Sequence, residues 1–209
     1  MRGAGGANDP ARIKLLIGFT GSVASVKFKE LITQIQVKDR FEIKVVLTQC
    51  AQRFISKEDI SSVGLGTGDV YTDSDEWTEW EKIGDPVVHI DLAKWANVLL
   101  VAPLTANTLA KFANGLCDNL LTCVFRAWSF SEKMVVLAPA MNTQMWLNPF
   151  TERHLDAILR LIPPYCGRGC VHICQPVEKR LACGDTGIGA MAEVDTIALT
   201  LDKLCSRDR

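Results

Sequence analysis

The sequence lacks several patterns that would assign it to a common class of protein. No apolar run reaches the roughly 18 residues that a membrane-spanning helix requires. The formal net charge is −1 and no dense stripe of Lys and Arg occurs, which argues against nucleic-acid binding. Neither the G-x-G-x-x-G fingerprint of dinucleotide sites nor the G-x-x-x-x-G-K of P-loops is present. Membrane insertion, nucleic-acid binding and the two common nucleotide sites thus lack sequence support.

Residues 1–12 lack the apolar core of a signal peptide, so we expect no secretory signal. Residues 1–12 are Gly-rich, and we expect a disordered tail there. Eight cysteines without a signal peptide favour reduced thiols in a cytoplasmic protein over a disulfide framework. No internal repeat or linker divides the 209 residues, so we expect one domain over residues 13–205.

Short apolar runs alternate with amphipathic segments along the chain, and near-continuous apolar runs are typical of parallel strands. The pattern predicts an α/β, single-domain, doubly wound parallel sheet, flavodoxin-like with three Rossmann-like layers. We also expect one helix from Val23 to about Gln36, with Val26, Leu31 and Ile35 facing the core, and an irregular segment from Ile162 to Arg180. The main predicted strands are Ile13–Phe19, Phe41–Leu47, Val98–Val101 and Met134–Ala138.

Two of these strands end in similar polar loops. The first continues as Ala102-Pro103-Leu104-Thr105-Ala106-Asn107-Thr108, and the second as Pro139-Ala140-Met141-Asn142-Thr143-Gln144-Met145-Trp146. Ligands of open α/β sheets bind beyond the carboxyl ends of the strands. A Thr or Asn at such a position can hold a ligand oxygen, and a plain helix cap is the alternative.

Three further features carry either a functional or a purely structural interpretation. The turn Gly18-Phe19-Thr20-Gly21-Ser22 suits a monophosphate at a helix start, or it is a simple strand-to-helix turn. His89 is either an acid–base group or a partly buried histidine satisfied by a neighbour. Cys183 lies among Gly184, Gly187 and Gly189, so it is either a structural thiol or part of a mobile flap.

A Cys-rich insert, residues 163–178, raises the question of a metal. Its spacing, C-x3-C-x-H-x-C, fits no familiar zinc site, although alternate residues of a strand would share one face. We expect reduced cysteines and no metal. The potential ligands are Cys166, Cys170, His172 and Cys174.

The two polar loops resemble the signature motifs of the flavin-containing cysteine decarboxylases, P-A-S-A-N-T and P-x-M-N-x-x-M-W. The second motif matches at every specified position. The first has Leu104 and Thr105 in place of Ala and Ser, which retains the hydroxyl. The resemblance runs from about Lys14 to Glu193, and the insert is longer than the family pattern. Two further matching stretches are His89-Ile90-Asp91-Leu92 with Trp95, and Leu181-Ala182-Cys183-Gly184-Asp185 before Gly189-Ala190-Met191-Ala192-Glu193.

This resemblance implies FMN as the cofactor and His89 and Cys183 as catalytic residues, with Cys183 returning a proton to the product. It also implies a set of binding residues. The substrate would contact Asn142, Arg180, Leu181, Ala182 and Met145, and FMN would contact Ser22, Val23, Thr48, Cys50, Thr105, Ala106, Asn107, Thr108 and Ala140.

The implied reaction converts 4′-phosphopantothenoylcysteine to 4′-phosphopantetheine in coenzyme A biosynthesis. Direct loss of CO2 would leave a carbanion without an electron sink. Oxidation of the thiol-bearing carbon by flavin first gives a thioaldehyde, so decarboxylation yields a delocalised enethiolate that is then reduced and protonated.

The resemblance further implies a homotrimer with the site between subunits, for which Trp77, Trp80 and Trp146 are aromatic interface candidates. Two alternatives stay open. One is a related flavoprotein that acts on the C-terminal cysteine of a peptide or modifies the flavin, and the other is a regulatory, phosphatase-binding homologue. The presence of Cys183 and the lack of a long acidic tail favour the small-molecule decarboxylase.

Overall fold

The computed structural model of the protein describes residues 12–78, 82–160, 171–180, 184 and 186–206. Most of the predicted N-terminal tail lies outside these residues. Among those described, no helix is both long and apolar enough to cross a membrane.

A parallel six-stranded sheet forms the centre of the described structure, in the order β3-β2-β1-β4-β5-β6. The order changes direction between β1 and β4, which creates a crevice at the carboxyl ends of these neighbouring strands. The predicted doubly wound, flavodoxin-like sheet is therefore confirmed. The strands are β1 (Ile13–Phe19), β2 (Phe41–Leu47), β3 (Val70–Thr72), β4 (Val98–Leu104), β5 (Met134–Pro139) and β6 (Val171–Ile173).

Helices cover both faces of the sheet and complete the three layers. Two short 3-10 segments, Val23–Lys27 and Ala51–Arg53, follow β1 and β2. The α-helices are α1 (Phe28–Gln36), α2 (Lys57–Ser62), α3 (Asp75–Thr78), α4 (Val88–Trp95), α5 (Ala106–Asn114), α6 (Leu120–Arg126), α7 (Thr143–Trp146), α8 (Pro149–Leu159) and α9 (Val194–Ser206).

Alternate strand residues build two separate cores, because successive side chains of a strand point to opposite faces. Leu15 and Ile17 of β1 pack with α1 and α9 on one face. Leu16 packs with α4, α5, α6 and α8 on the other. All three side chains are fully buried. A strand buried on both faces has no polar positions to alternate, which explains the continuous apolar runs of the sequence.

The predicted helix from Val23 to Gln36 is wrong in its first part. Val23–Lys27 forms a 3-10 segment, and the α-helix begins only at Phe28. Leu31 and Ile35 are buried as predicted, whereas Val26 is 61% exposed. A 3-10 segment has three residues per turn, so Val26 does not share the angular position that a continuous α-helix would give it.

The segment from Ile162 to Arg180 was predicted to be irregular, but its described part contains two strands. Val171–Ile173 forms the edge strand β6, and β7 (Val177–Arg180) pairs antiparallel with β8 (Thr186–Ala190). Residues 161–170 lie outside the described part of the chain. The strands β7 and β8 are short and half-exposed, so their sequences lack the apolar runs by which the central strands were predicted.

Candidate functional site

A cavity of about 520 Å³ opens at the carboxyl ends of β1, β2, β4 and β5, where the strand order changes direction. We call it the crevice cavity. Its walls combine hydroxyl, amide and thioether groups, a mixture typical of cofactor sites. The lining residues are Gly21, Ser22, Thr48, Gln49, Cys50, Asp73, Thr105, Ala106, Asn107, Thr108, Lys111, Asp118, Asn119, Ala140, Met141 and Met145.

Thr20 connects two loops of this cavity. Its hydroxyl donates to the carbonyl oxygen of Pro103 at 2.7 Å and accepts from the backbone N–H of Thr105 at 3.0 Å. The hydroxyl of Ser25 donates to the carbonyl oxygen of Thr20 at 2.8 Å. Because Thr20 is only 1% exposed, these bonds are shielded from water and hold the ends of β1 and β4 together.

Helix starts supply hydrogen-bond donors to the same cavity. The Ser22 hydroxyl accepts from the N–H of Ala24, and the Thr105 hydroxyl caps α5 by accepting from the N–H of Thr108. Uncapped N–H groups and the helix dipole favour an anion at such an end. Gly21 lies so close to Cys50 that a Cβ at position 21 would overlap the Cβ of Cys50. The arrangement can therefore hold a phosphate group at one end of a larger ligand.

A second cavity of about 400 Å³ adjoins the first, and we call it the flap cavity. The two cavities share Ser22, Ala140 and Met141 in their walls. The two cavities therefore adjoin each other at these residues. The flap cavity is lined by Ser22, Val23, Ala24, Val26, Lys27, Ala140, Met141, Asn142, Lys179, Arg180, Gly189, Ala190 and Met191.

The β7–β8 hairpin packs directly on the loop after β5. The N–H of Met141 donates to the carbonyl oxygen of Gly189 at 2.9 Å, and an added Cβ at Gly189 would overlap the carbonyl oxygen of Met141. Next to it, Asn142 caps α7, with its side-chain oxygen accepting from the N–H of Gln144 at 2.8 Å. The hairpin thus forms one wall of the flap cavity beside the Asn142 amide.

Positive charge predominates at the flap cavity. Lys27, Lys179 and Arg180 line it. Glu193 contacts both lysines, and Glu30 also lies 3.8 Å from Lys27. The distances from the ammonium groups to Glu193 are 3.4 Å for Lys27 and 2.5 Å for Lys179. The hydrogen bond from Lys179 lowers the pKa of the Glu193 carboxyl below its ordinary value. The cavity is therefore suited to an anionic ligand.

His89 lies in the first turn of α4 and lines neither cavity within one chain. Its Nδ1 hydrogen-bonds Oε1 of Glu76, and both side chains are largely buried, 25% and 11% exposed. Near them, burial and the Glu76 carboxylate raise the pKa of the Cys123 thiol to about 11. The histidine therefore has a fixed carboxylate neighbour.

The structure brings most of the predicted site residues together. Every predicted FMN residue except Val23 lines the crevice cavity, and Val23 lines the flap cavity. Of the predicted substrate residues, Asn142 and Arg180 line the flap cavity and Met145 lines the crevice cavity. Leu181, Ala182 and Cys183 lie outside the described residues.

Several lining residues were missed from the sequence. Lys27 and Lys179 line the flap cavity, and Asp73 reaches the crevice cavity from the loop after β3. Lys179 directly precedes the predicted Arg180, so the basic pair was a usable signal. Asp73 and Lys27 belong to no motif, and only the folded arrangement places them at the site.

The structure describes two of the four potential zinc ligands. His172 is exposed on β6, whereas Cys174 is 4% exposed, and burial raises the pKa of its thiol. Cys166 and Cys170 lie outside the described residues. The described residues contain no group of three potential metal ligands. The absence of a metal remains a prediction.

Comparisons with known proteins agree with this geometry. Residues 7–206 match the family described as Flavoprotein. A phosphopantothenoylcysteine decarboxylase of Oryza sativa subsp. japonica is 46% identical over 198 residues, covering 95% of this chain and 83% of the relative.

Two solved structures are similar over almost the whole chain. A Cys-to-Ser mutant of a phosphopantothenoylcysteine decarboxylase, complexed with pantothenoylaminoethenethiol, has a TM-score of 0.83 and 45% identity, covering 94% of this chain and 100% of that one. The FMN-binding protein AtHal3 has a TM-score of 0.78 and 44% identity, covering 95% and 99%.

Proposed function

The chain belongs to the flavoprotein family, and we propose that it uses FMN to decarboxylate 4′-phosphopantothenoylcysteine to 4′-phosphopantetheine, in coenzyme A biosynthesis. One observation carries this proposal. The crevice cavity and the flap cavity share Ser22, Ala140 and Met141, so a cofactor in the first would lie beside a substrate in the second. A hydride transfer requires contact between the reacting atoms.

The crevice cavity fits FMN in size and in chemistry. Its volume lies within the range of small-molecule sites. Helix starts and hydroxyl groups at Ser22, Thr105 and Thr108 suit the phosphate, and Ala140 and Met141 offer apolar surface to a ring. The bound flavin would accept a hydride from the substrate and later return it, so that CO2 is lost from a thioaldehyde and an enethiolate results.

The flap cavity suits a substrate with two anionic groups, a carboxylate and a phosphate. We assign the substrate carboxylate to Asn142, because its amide lies at the start of α7 within the cavity wall. The cations of Lys27, Lys179 and Arg180 would attract the terminal phosphate. A peptide substrate, the alternative suggested by the family resemblance, gives these cations no phosphate to bind.

Two residues are proposed to handle protons. His89 would take the thiol proton in the first half-reaction, and Cys183 would return a proton to the enethiolate in the second. His89 lines neither cavity of a single chain. We therefore propose that the site is completed between the subunits of a homotrimer. We further propose that the protein acts in the cytoplasm.

The flavin content of the purified protein tests the cofactor assignment. We expect a yellow protein that releases one FMN per chain on denaturation. FMN should also slow alkylation of Cys50, which lines the crevice cavity, and leave exposed Cys117 unaffected. A colourless protein that fails to take up added FMN would contradict the proposed function.

A further inference from the structure

A buried carboxylate contacts His89 and is used by no step described so far. Glu76 lies on α3 and is 11% exposed, and its Oε1 is hydrogen-bonded to His89 Nδ1. The other oxygen, Oε2, is buried and has no hydrogen-bond partner among the described residues. Burying a carboxylate with one oxygen unsatisfied is costly, and such exceptions call for a specific explanation.

The contact determines which nitrogen of His89 carries a proton. An ionised carboxylate only accepts hydrogen bonds, so Nδ1 of the imidazole must be the donor. In the neutral ring the lone pair then lies on Nε2, which is the nitrogen able to accept a proton. Glu76 thus selects the tautomer in which His89 is a base at Nε2.

We infer that Glu76 is the positioning residue of His89, holding its ring with Nε2 ready to accept the substrate thiol proton. This inference rests on the proposed function. In that step the thiol gives its proton to Nε2 while its carbon gives a hydride to the bound flavin. The substrate loses two hydrogens in total and a C=S bond forms, so charge and electrons balance.

The location of Glu76 supports this role. Asp73, three residues earlier, lines the crevice cavity and accepts a hydrogen bond from the N–H of Leu120 at 3.0 Å. That bond ties the segment before α3 to the start of α6. The Glu76 carboxylate also contributes to the raised pKa of Cys123 on α6, as a negative charge beside a buried thiol should.

A purely structural role is the competing explanation. The helix α3 spans only Asp75–Thr78, and the Glu76–His89 bond could simply anchor this short turn to α4. Both roles fix the histidine tautomer through this bond, but only a positioning residue should slow flavin reduction in a way that does not add to the loss of His89.

The direct test is the 15N spectrum of the histidine ring nitrogens, which is feasible because the chain has only three histidines. In the wild type, His89 should show the neutral tautomer protonated at Nδ1. Glu76→Met removes the acceptor at similar length and should abolish that preference. Glu76→Gln keeps an acceptor oxygen and should retain it.

Kinetics provide the second readout. Anaerobic flavin reduction by substrate should slow about 100-fold or more in Glu76→Met, the range typical of a lost general base, and partly recover in Glu76→Gln. Adding Glu76→Met to His89→Asn should cause no further loss, because the two residues act as one unit. The exposed Glu58→Gln, on α2, is the matched control and should match the wild type.

Wild-type tautomer and rate in Glu76→Met, or losses that add to those of His89→Asn, would overturn the inference. If Glu76→Met does not fold, Glu76→Gln decides: it must keep the Nδ1–H tautomer and show no additive loss with His89→Asn. The ring spectrum needs no substrate, so the histidine tautomer is tested even if the wild type fails to act on 4′-phosphopantothenoylcysteine.

Discussion

Lys27 and Lys179 place two ammonium groups at the flap cavity, and both contact the carboxylate of Glu193. Lys27 also lies 3.8 Å from Glu30, so with Arg180 three cations face two carboxylates, which leaves one excess positive charge for a ligand. The lysine side chains are 30% and 37% exposed, so water screens them only in part. A terminal phosphate on the substrate would supply the missing negative charge.

Replacing Lys179 with Met should therefore weaken binding of the phosphorylated substrate selectively. We expect KM for 4′-phosphopantothenoylcysteine to rise about tenfold, which corresponds to roughly 1.4 kcal/mol. KM for pantothenoylcysteine, which lacks the phosphate, should change little. Steady-state kinetics with both substrates measures the difference, and exposed Lys57→Met serves as the control. Equal changes for the two substrates would remove Lys179 from phosphate recognition.

Site residues that belong to a sequence motif were predicted, and site residues outside any motif were missed. Thr105 to Thr108 and Asn142 were found because each directly follows an apolar strand and opens a helix. Glu76 follows no strand and its partner His89 is 13 residues away, so only tertiary structure reveals their contact. The interpretation of His89 as a partly buried histidine that hydrogen-bonds a neighbouring residue thus describes its surroundings. Its catalytic role remains a proposal.

Gly189 controls how the β7–β8 hairpin meets the loop after β5. Its φ is +137°, a conformation that other residues rarely adopt, and an added Cβ would overlap the Met141 carbonyl oxygen. The same residue accepts the hydrogen bond from Met141 N–H. A side chain here must push the hairpin away from the Asn142 loop.

Gly189→Ala should lower the free energy of unfolding by about 1–3 kcal/mol, the usual cost of a strained backbone conformation. It should also raise the substrate KM while leaving bound FMN in place, because Gly189 lines the flap cavity and not the crevice cavity. Urea denaturation and kinetics measure the two effects. Gly68→Ala is the control, since φ there is not positive and nothing lies within 4 Å of an added Cβ. If Gly189→Ala and Gly68→Ala show the same free energy of unfolding and the same KM, the hairpin accommodates a side chain at Gly189 without loss of function.

The predictability of an element depends on how it is buried. The bounds of β1 and β2 were predicted because each strand is mostly apolar and ends in a fully buried run, Leu-Leu-Ile-Gly-Phe in β1 and Val-Val-Leu in β2. The hairpin was not predicted, since β7 reads Val-Glu-Lys-Arg and only every second residue is even partly buried. The 3-10 segment after β1 escaped prediction because its apolar spacing also fits an α-helix.

An exposed apolar area lies beside the crevice cavity on α7 and at the start of α8. Met145 is 49% exposed, Leu147 63% and Phe150 62%. Of the predicted interface tryptophans, Trp77 is 79% exposed, Trp146 is half-buried and Trp80 lies outside the described residues. Contiguous exposed apolar side chains are typical of interfaces, so this area is the site at which we expect a trimer to form.

Phe150→Glu should place a charge in that interface and dissociate the trimer. We expect sedimentation to report three chains for the wild type and a smaller species for the variant, which should also lose FMN more readily. Leu199→Glu, on α9 and 52% exposed, is the control and should remain trimeric. A trimeric Phe150→Glu variant, or a monomeric wild type that retains FMN, would contradict this interface.

The mass of the product formed from 4′-phosphopantothenoylcysteine tests the central claim most directly, when measured for the wild type and for Cys183→Ser. The wild type should release CO2 and form 4′-phosphopantetheine. Serine is a much weaker acid than a thiol of pKa about 8.5, so the variant should still release CO2 but stop at a product two hydrogens lighter, with its flavin reduced. FMN-loaded wild type that leaves the substrate intact, or Cys183→Ser that forms 4′-phosphopantetheine at the wild-type rate, would contradict the account.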